Sequence, residues 1–223
     1  MKLIGHLNAV AASRQVLEEY LPLNTPTSFE IIQAIKDEYS FQNFPNADPG
    51  VPLSPRMGFA GGKFNKADEP FGILALVMEQ NGDIVQAITT DQADLVLDDL
   101  ARLLDERFGF RVRSSTRRRA YTSNLVVEFD AAIDKSLDKI SRIGTSINRM
   151  TEGVKQVALT RLAFGETRTT PPVDQVSMVE AADFLIERRV SQPMAENRYY
   201  CSAPLKTADH IRLLEEIEKI FDE

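Results

Sequence analysis

Six arginines are concentrated in one short stretch of a chain that is otherwise acidic. They are Arg107, Arg111, Arg113, Arg117, Arg118 and Arg119, and no acidic residue lies between them. Removing these six from the 26 basic residues would change the formal net charge from −7 to −13. Such segregation of charge indicates a basic loop at residues 107–119, for which three interpretations are open.

Two kinds of partner fit this stretch, and a third interpretation needs none. Guanidinium groups bind phosphate, and the hydroxyl groups of residues 114–116 with the ring of Tyr121 would add hydrogen bonds and stacking for single-stranded DNA or RNA. Alternatively, the arginines pair with the acidic faces of helices predicted at residues 91–106 and 207–223, within one subunit or between subunits. Otherwise the stretch is a solvated loop. The acidic charge of the whole chain argues against general affinity for nucleic acid or anionic membranes.

Residues that commonly carry catalysis or hold metals are few. The chain has one cysteine, Cys201, and two histidines, His6 and His210, too few soft ligands for a structural zinc site. A catalytic thiol needs a base within about 3 Å, and nothing in the spacing of Cys201 and His210 demands such a pair. We therefore predict no catalytic residue, no metal site and no cofactor. Cys201 is expected in the core and His210 at the surface near a helix start.

The glycine-rich segment GFAGGKF, at residues 58–64, lacks the spacing of a phosphate-binding loop. Such a loop needs a glycine five positions before its Gly-Lys pair and a Ser or Thr after the lysine, whereas Met57 and Phe64 stand there. Gly61 and Gly62 are therefore expected to permit a bulge or turn beside a strand, with Lys63 exposed.

Carboxylates are dense on the helix predicted after residue 90. They could be considered for magnesium binding or acid-base chemistry, but the pattern is typical of a solvated helix face. They are Asp91, Asp94, Asp98, Asp99, Asp105 and Glu106.

The composition predicts one globular protein of the cytoplasm. Apolar residues make up 43% of the 223 residues, which is enough for a core, and we expect a single compact domain over residues 1–223. One cysteine cannot form an intramolecular disulfide, which fits a reducing compartment. No apolar run approaches the roughly 20 residues that cross a bilayer, so no membrane partner is expected.

Several helix and strand patterns organise the chain. The clearest is a β-hairpin, in which FGILALVME and IVQAIT flank an Asn-Gly turn at residues 81–82. Five prolines and four glycines predict a long loop at residues 40–70, and a second loop is predicted at residues 165–177. Further strands are predicted at residues 122–129, 154–164, 183–190 and 198–204. Helices are predicted at residues 13–20, from Thr27 or Ser28 to Tyr39, from Thr90 or Asp91 to Gly109, at 130–150 and from Thr207.

The helix predicted at residues 130–150 carries an apolar seam with alternating three- and four-residue spacing. Its members are Ile133, Ile140, Ile143, Ile147 and Met150. Such a seam is long enough to pack against a partner helix, so it is a candidate oligomer contact.

A comparison of the two helices that begin near Thr90 and Thr207 indicates an internal repeat. When the helices are aligned at these residues, the apolar positions coincide, and a pair of acidic residues at 98–99 coincides with another at 215–216. The predicted fold is therefore α+β, an antiparallel sheet with helices on one face. It would contain two α-β-β-β-α units, at residues 27–108 and 130–222, that share one sheet and are related by duplication.

These features predict a non-enzymatic protein-protein interaction or assembly subunit that forms a homo-oligomer. The seam, the proline-rich loops and the separated acidic and basic surfaces support this function. The first alternative is a module that binds single-stranded nucleic acid through the basic loop. The second is an enzyme whose site has no recognisable motif.

Overall fold

A computed structural model describes residues 1–14, 26–46, 56–79, 82–110, 118–130, 142, 145–147, 149–150, 161–165, 183–189 and 196–222. The strands are β1 Lys2–Arg14, β2 Arg56–Phe64, β3 Phe71–Glu79, β4 Gly82–Ala87, β5 Arg118–Glu128, β6 Arg161–Phe164, β7 Phe184–Arg188 and β8 Arg198–Ala203. The helices are α1 Ser28–Tyr39, α2 Thr90–Phe108 and α3 Thr207–Asp222. Residues 142, 145–147 and 149–150 are also helical, and the rest of the predicted helix at 130–150 lies outside the described residues.

The eight strands form one sheet in the order β2-β3-β4-β1-β5-β8-β7-β6. The predicted α+β class with an antiparallel sheet is confirmed, and so is the β3–β4 hairpin, in which Leu76 pairs with Val85. By contacts the described chain divides into two compact units. We call the one containing Asn8–Thr122 the N-terminal unit, and the one containing Met1–Leu7, Ser123–Pro171 and Ala181–Glu223 the C-terminal unit.

Capping residues fix the first two helices. Thr27 accepts a hydrogen bond from the backbone N–H of Glu30, whose carboxylate accepts one from the backbone N–H of Thr27, so a capping box starts α1 as predicted. Helix α2 starts in the same way at Thr89, one residue before the predicted cap. Gly109 ends it with φ +70°, a backbone conformation that glycine adopts without a steric penalty.

Three predictions about local structure are wrong. Residues 13 and 14 end β1 instead of starting the helix predicted at residues 13–20, because they pair with Asp83 and Gly82 of β4. The rest of that predicted helix lies outside the described residues. Part of the predicted loop at residues 40–70 is strand β2, which pairs with β3 from Arg56 to Phe64. The basic stretch is not one loop, since Arg107 lies in the last turn of α2 while Arg118 and Arg119 begin β5.

Each unit has its own core. In the N-terminal unit, one row of paired strand residues packs with apolar residues of α1 and α2, and this row consists of Ala11, Val85, Leu76 and Phe59. In the C-terminal unit, Leu125, Cys201 and Ile186 form a similar row and share a cluster with Leu214 of α3. No helix in the described part of the chain is long and apolar enough to span a membrane.

Candidate functional site

A buried carboxylate, Asp99 of α2, lies at the centre of a polar cluster in the N-terminal unit. The hydroxyl of Tyr39, at the end of α1, donates a hydrogen bond to Asp99 at 3.0 Å. The Nζ of Lys66 donates hydrogen bonds to the two carboxylate oxygens of Asp99 at 2.8 and 3.0 Å. Arg102, one turn further along α2, also donates to Asp99. Lys66 pairs in addition with Glu38. The cluster therefore joins α1, α2 and the connection between β2 and β3.

The charged side chains of this cluster form ion pairs with one another. Burial raises the pKa of Asp99, but the hydrogen bonds from Lys66, Arg102 and Tyr39 outweigh burial, so the pKa lies below its ordinary value. The pKa of Tyr39 is raised, first by burial and then by the adjacent Asp99 carboxylate. At neutral pH, Asp99 is thus an ionised acceptor and Tyr39 a neutral donor. This state stabilises a fixed geometry and leaves neither group poised to exchange a proton.

The position of Asp99 corrects the prediction that all acidic residues of α2 are solvated. Asp99 is 7% exposed. The sequence contained a signal for this, because Asp99 follows Val96 by three residues and precedes Leu103 by four, and both of these are core positions. Lys66 and Tyr39 carried no comparable signal, since nothing local relates them to Asp99.

A second polar cluster joins β5 to the exposed side of α2. Arg119 donates from Nη1 to Asp94 at 2.6 Å and from Nη2 to Asp98 at 2.5 Å. The hydroxyl of Tyr121 lies 3.1 Å from Oδ2 of Asp94. The predicted pairing between the basic stretch and an acidic helix face therefore exists within the chain for Arg119. Tyr121 contacts a carboxylate in the same place.

The other predicted site residues are only partly described. Arg107 lies 3.9 Å from Glu38, a second ion pair between a predicted site arginine and an acid of the same chain. Arg118 begins β5, and Arg111, Arg113 and Arg117 lie outside the described residues. Of the seam, Ile147 is 39% exposed and Met150 82% exposed. Ile133, Ile140 and Ile143 lie outside the described residues.

The sheet of the N-terminal unit has apolar residues on both faces. Opposite the row that packs on the helices lie two further rows of paired residues, which we call the outer face. One row is Val10, Gln86, Ala75 and Ala60, and the other is Ala12, Ile84, Val77 and Gly58. Gly58 is exposed, Ala12 is buried and the other six are half-buried. No residue in these two rows is charged, whereas a solvated face of an antiparallel sheet is normally polar.

The rows opposite the core of the C-terminal unit mix polar and apolar residues, since Val126, Leu185 and Ala163 lie in them beside polar and charged side chains. Tyr200 donates to Oδ1 of Asn124 at 2.7 Å across the β5–β8 pair, and Arg198 donates to Glu128 at 3.0 Å. Their neighbours in the same rows include Glu187 of β7, paired with Tyr200. These rows therefore differ from the two uncharged rows of the outer face by carrying charged side chains. The row that borders the outer face in the N-terminal unit is also charged, with Arg56 and Glu79 paired at 3.4 Å.

His210, predicted at the surface, is fully buried in the C-terminal unit. Its Nδ1 lies 2.7 Å from the Oγ of Ser123, and its ring meets the ring of Phe184 at 6.0 Å. Its Nε2 has no hydrogen-bond partner in the described part of the chain. Burial lowers the pKa of His210 to about 4, so the imidazole is neutral at pH 7.

Cys201 lies in the core, as expected, and is 0% exposed. Burial raises the pKa of its thiol to about 12, so no reactive thiolate forms at neutral pH.

Among the described residues, no group of three His, Cys, Asp or Glu side chains is arranged to hold a metal ion. No family model matches the sequence, and no curated protein matches it.

Proposed function

We propose that this protein is a non-enzymatic protein-protein interaction subunit that self-associates, and that the outer face of its N-terminal unit is the contact surface. The observation that supports this proposal is the absence of charge from both rows of that face, where six of eight residues are half-buried and one is exposed. Apolar surface that remains in contact with water is stabilised when a partner covers it.

The shape of the outer face suits close packing. Gly58, Ala60 and Ala75 are neighbours on β2 and β3, so the backbone there is covered by little side-chain volume. Val77 and Ile84 form a β-branched pair in the adjacent row. Two sheets pack face to face at about 10 Å when small and branched side chains interdigitate. A second copy of the same face meets these requirements without placing like charges together.

The test is the mass of the protein in solution. Light scattering at micromolar concentration and physiological salt should give a multiple of the 25.0 kDa chain mass. Val77→Lys and Ile84→Lys should each reduce that mass towards one chain, because a buried ammonium in the contact is strongly unfavourable. The matched control is Leu95→Lys, which makes the same kind of change at a 48% exposed residue of α2.

Two outcomes would contradict the proposal. A mass of one chain for the wild type would exclude self-association. The Val77→Lys and Ile84→Lys variants must first be shown to be folded by circular dichroism. If their mass is then the same as that of the wild type, the contact does not lie on the outer face. The exposed Met150 of the seam provides the next surface to examine, through Met150→Lys.

We also infer that the two units descend from a duplication. The support is their common order of elements. In the N-terminal unit a strand, a helix, three strands and a helix follow one another, and in the C-terminal unit β5, helical residues near 145–150, β6 to β8 and α3 do so. The strand order is also common, with the first strand of each set beside the fourth.

Nucleic-acid binding is less well supported. Arg107 and Arg119 contact carboxylates of the same chain, so a phosphate would have to displace Glu38, Asp94 and Asp98. The remaining arginines of the basic stretch would have to act without these two. An enzyme is also less well supported by the described residues, since Asp99 is an ion-paired carboxylate while Cys201 and His210 are neutral at pH 7.

A further inference from the structure

An open surface pocket of about 440 Å³, which we call the cavity, lies between the end of α1 and the hairpin formed by β2 and β3, and six of its eight lining residues are exposed. Its walls are formed by Ser40, Gln42, Gly61, Gly62, Lys63, Pro70, Phe71 and Gly72. The volume lies in the range of small-molecule sites. All of its walls belong to the N-terminal unit, and none of them is part of the outer face.

The space above Lys63 is open because Gly72, its neighbour on β3, has no side chain. Lys63 and Gly72 stand opposite each other on β2 and β3. A Cβ placed on Gly72 would meet nothing within 4 Å, so there is open space where a cross-strand neighbour of Lys63 would lie. The aliphatic part of Lys63 therefore borders the cavity instead of packing against a side chain of β3.

Charge and hydrogen-bonding groups in the cavity favour an anion. Lys63 is exposed and forms no ion pair with any carboxylate in the described part of the chain. The hydroxyl of Ser40 and the amide of Gln42 add donors, and no wall residue is acidic. The nearby Lys66 differs, because Asp99 and Glu38 already neutralise it. Phe71 and Pro70 supply an apolar wall for the rest of a ligand.

The walls are held in place on two sides. Along β2, backbone N–H groups of Gln42 and Asn43 donate to the carbonyls of Gly61 and Ala60 at 3.3 and 3.1 Å. On the other side, Lys66 ties the connection between β2 and β3 to Asp99 of α2. The cluster around Asp99 therefore holds in place the segment that leads from Lys63 to Pro70. A preformed cavity lowers the entropic cost of binding.

We propose that this cavity binds a small molecule through its anionic group, a carboxylate or a phosphate, with Lys63 as the counter-charge. The site is independent of the self-association described above, because it shares no residue with the outer face.

Two-dimensional amide NMR of the full chain tests the proposal. Titration with inorganic phosphate and, separately, with citrate should move the amide signals of Gly61, Gly62, Lys63 and Gly72 in a saturable way, with a dissociation constant in the millimolar range or tighter. The tighter of the two anions identifies the ligand class. Sodium chloride at equal ionic strength provides the reference for general salt effects.

Variants distinguish binding at this site from a general effect of surface charge on anion affinity. Lys63→Gln should weaken binding by about tenfold, whereas Lys63→Arg should retain it. Lys2→Gln, which removes an exposed lysine on β1, should leave the affinity unchanged. The proposal is overturned if neither anion gives saturable shifts beyond those of chloride, or if Lys63→Gln binds as tightly as the wild type.

Discussion

The ammonium of Lys66 lies 2.8 Å from Oδ2 and 3.0 Å from Oδ1 of Asp99, although 33 residues separate the two in sequence. Asp99 also accepts from Tyr39 and Arg102, so both of its oxygens are engaged. A buried carboxylate with this many donors is strongly stabilised relative to a variant that leaves its cations unpaired.

Asp99→Asn should therefore lower the free energy of unfolding by about 1 to 3 kcal/mol, because Lys66 and Arg102 lose their charged acceptor although both remain partly hydrated. Urea denaturation followed by circular dichroism measures the change. Asp98→Asn is the control, because the Asp98 side chain is 59% exposed and forms its ion pair with Arg119 near the solvent. The control should lose less than about 1 kcal/mol.

The pH dependence of the Asp99 effect has a definite sign. Since the folded pKa of Asp99 is lowered, its stabilising contribution is complete above its unfolded pKa of about 4 and is lost as pH falls through the folded value. The difference between wild type and Asp99→Asn should shrink in that acidic range. A difference that stays constant down to strongly acidic pH would contradict the assigned charge state.

His210 should make the protein sensitive to mild acid. Its folded pKa is about 4, below the ordinary value of 6.5, so the unfolded chain binds the proton more readily. Stability should fall as pH decreases from about 6.5 to about 4, by roughly 3 kcal/mol from this group alone. Urea denaturation at a series of pH values measures the slope.

The matched pair for this test is His210→Gln and His6→Gln. The first should remove the acid-dependent loss between pH 6.5 and 4, because no group then charges on unfolding at that position. The second should keep the loss, since the buried pair of His210 and Ser123 remains. Equal slopes in wild type and His210→Gln would show that other groups cause the acid sensitivity.

Cys201 should react with thiol reagents only after unfolding. Its side chain is 0% exposed and its thiol has a pKa of about 12, so both access and ionisation are suppressed in the folded state. A chromogenic disulfide reagent at pH 8 should label less than one equivalent until denaturant is added. Cys201→Ser should fold and lose roughly 1 kcal/mol, since the hydroxyl replaces a buried apolar group. Rapid labelling of the native protein would contradict the burial of the thiol.

The sequence predicted those elements whose signals are local. The hairpin of β3 and β4 follows from the Asn81-Gly82 turn between two apolar runs, and α1 follows from the cap at Thr27. Strand β1 was missed because its residues, KLIGHLNAVAASR, contain few β-branched side chains. Pairing with strands on both sides makes it a strand, and such pairing is not visible in a local window.

The polar clusters could be predicted only in part. Pairing between the basic stretch and the acidic helix was one of the interpretations drawn from charge segregation, and Arg119 forms such pairs within the chain. The Ser123–His210 contact spans 87 residues and depends on the pairing of β5 with β8 and the packing of α3. No spacing rule relates such residues, so His210 was wrongly expected at the surface.

Of the two glycines predicted to permit a bulge or turn, Gly61 has φ +68°, a conformation that favours glycine, and it stands between the paired residues Ala60 and Gly62. Gly62 pairs regularly with Ile73 and is required by packing. A Cβ at this position would lie 2.5 Å from the ring of Phe41, which is 3% exposed. The ring covers Gly62 and positions the segment that pairs with β2.

Gly62→Ala should therefore destabilise the protein by about 1 to 3 kcal/mol, because the ring of Phe41 or the backbone of β2 must move. Gly72→Ala is the matched control on the neighbouring strand, where an added Cβ would meet nothing within 4 Å. The control should change stability by less than about 0.5 kcal/mol or increase it slightly, since alanine restricts the unfolded chain.

Phe41→Leu in the Gly62→Ala background should cost less than the same change in the wild type, because the smaller side chain relieves the overlap. Equal losses in Gly62→Ala and Gly72→Ala, or strict additivity with Phe41→Leu, would refute a steric requirement at Gly62.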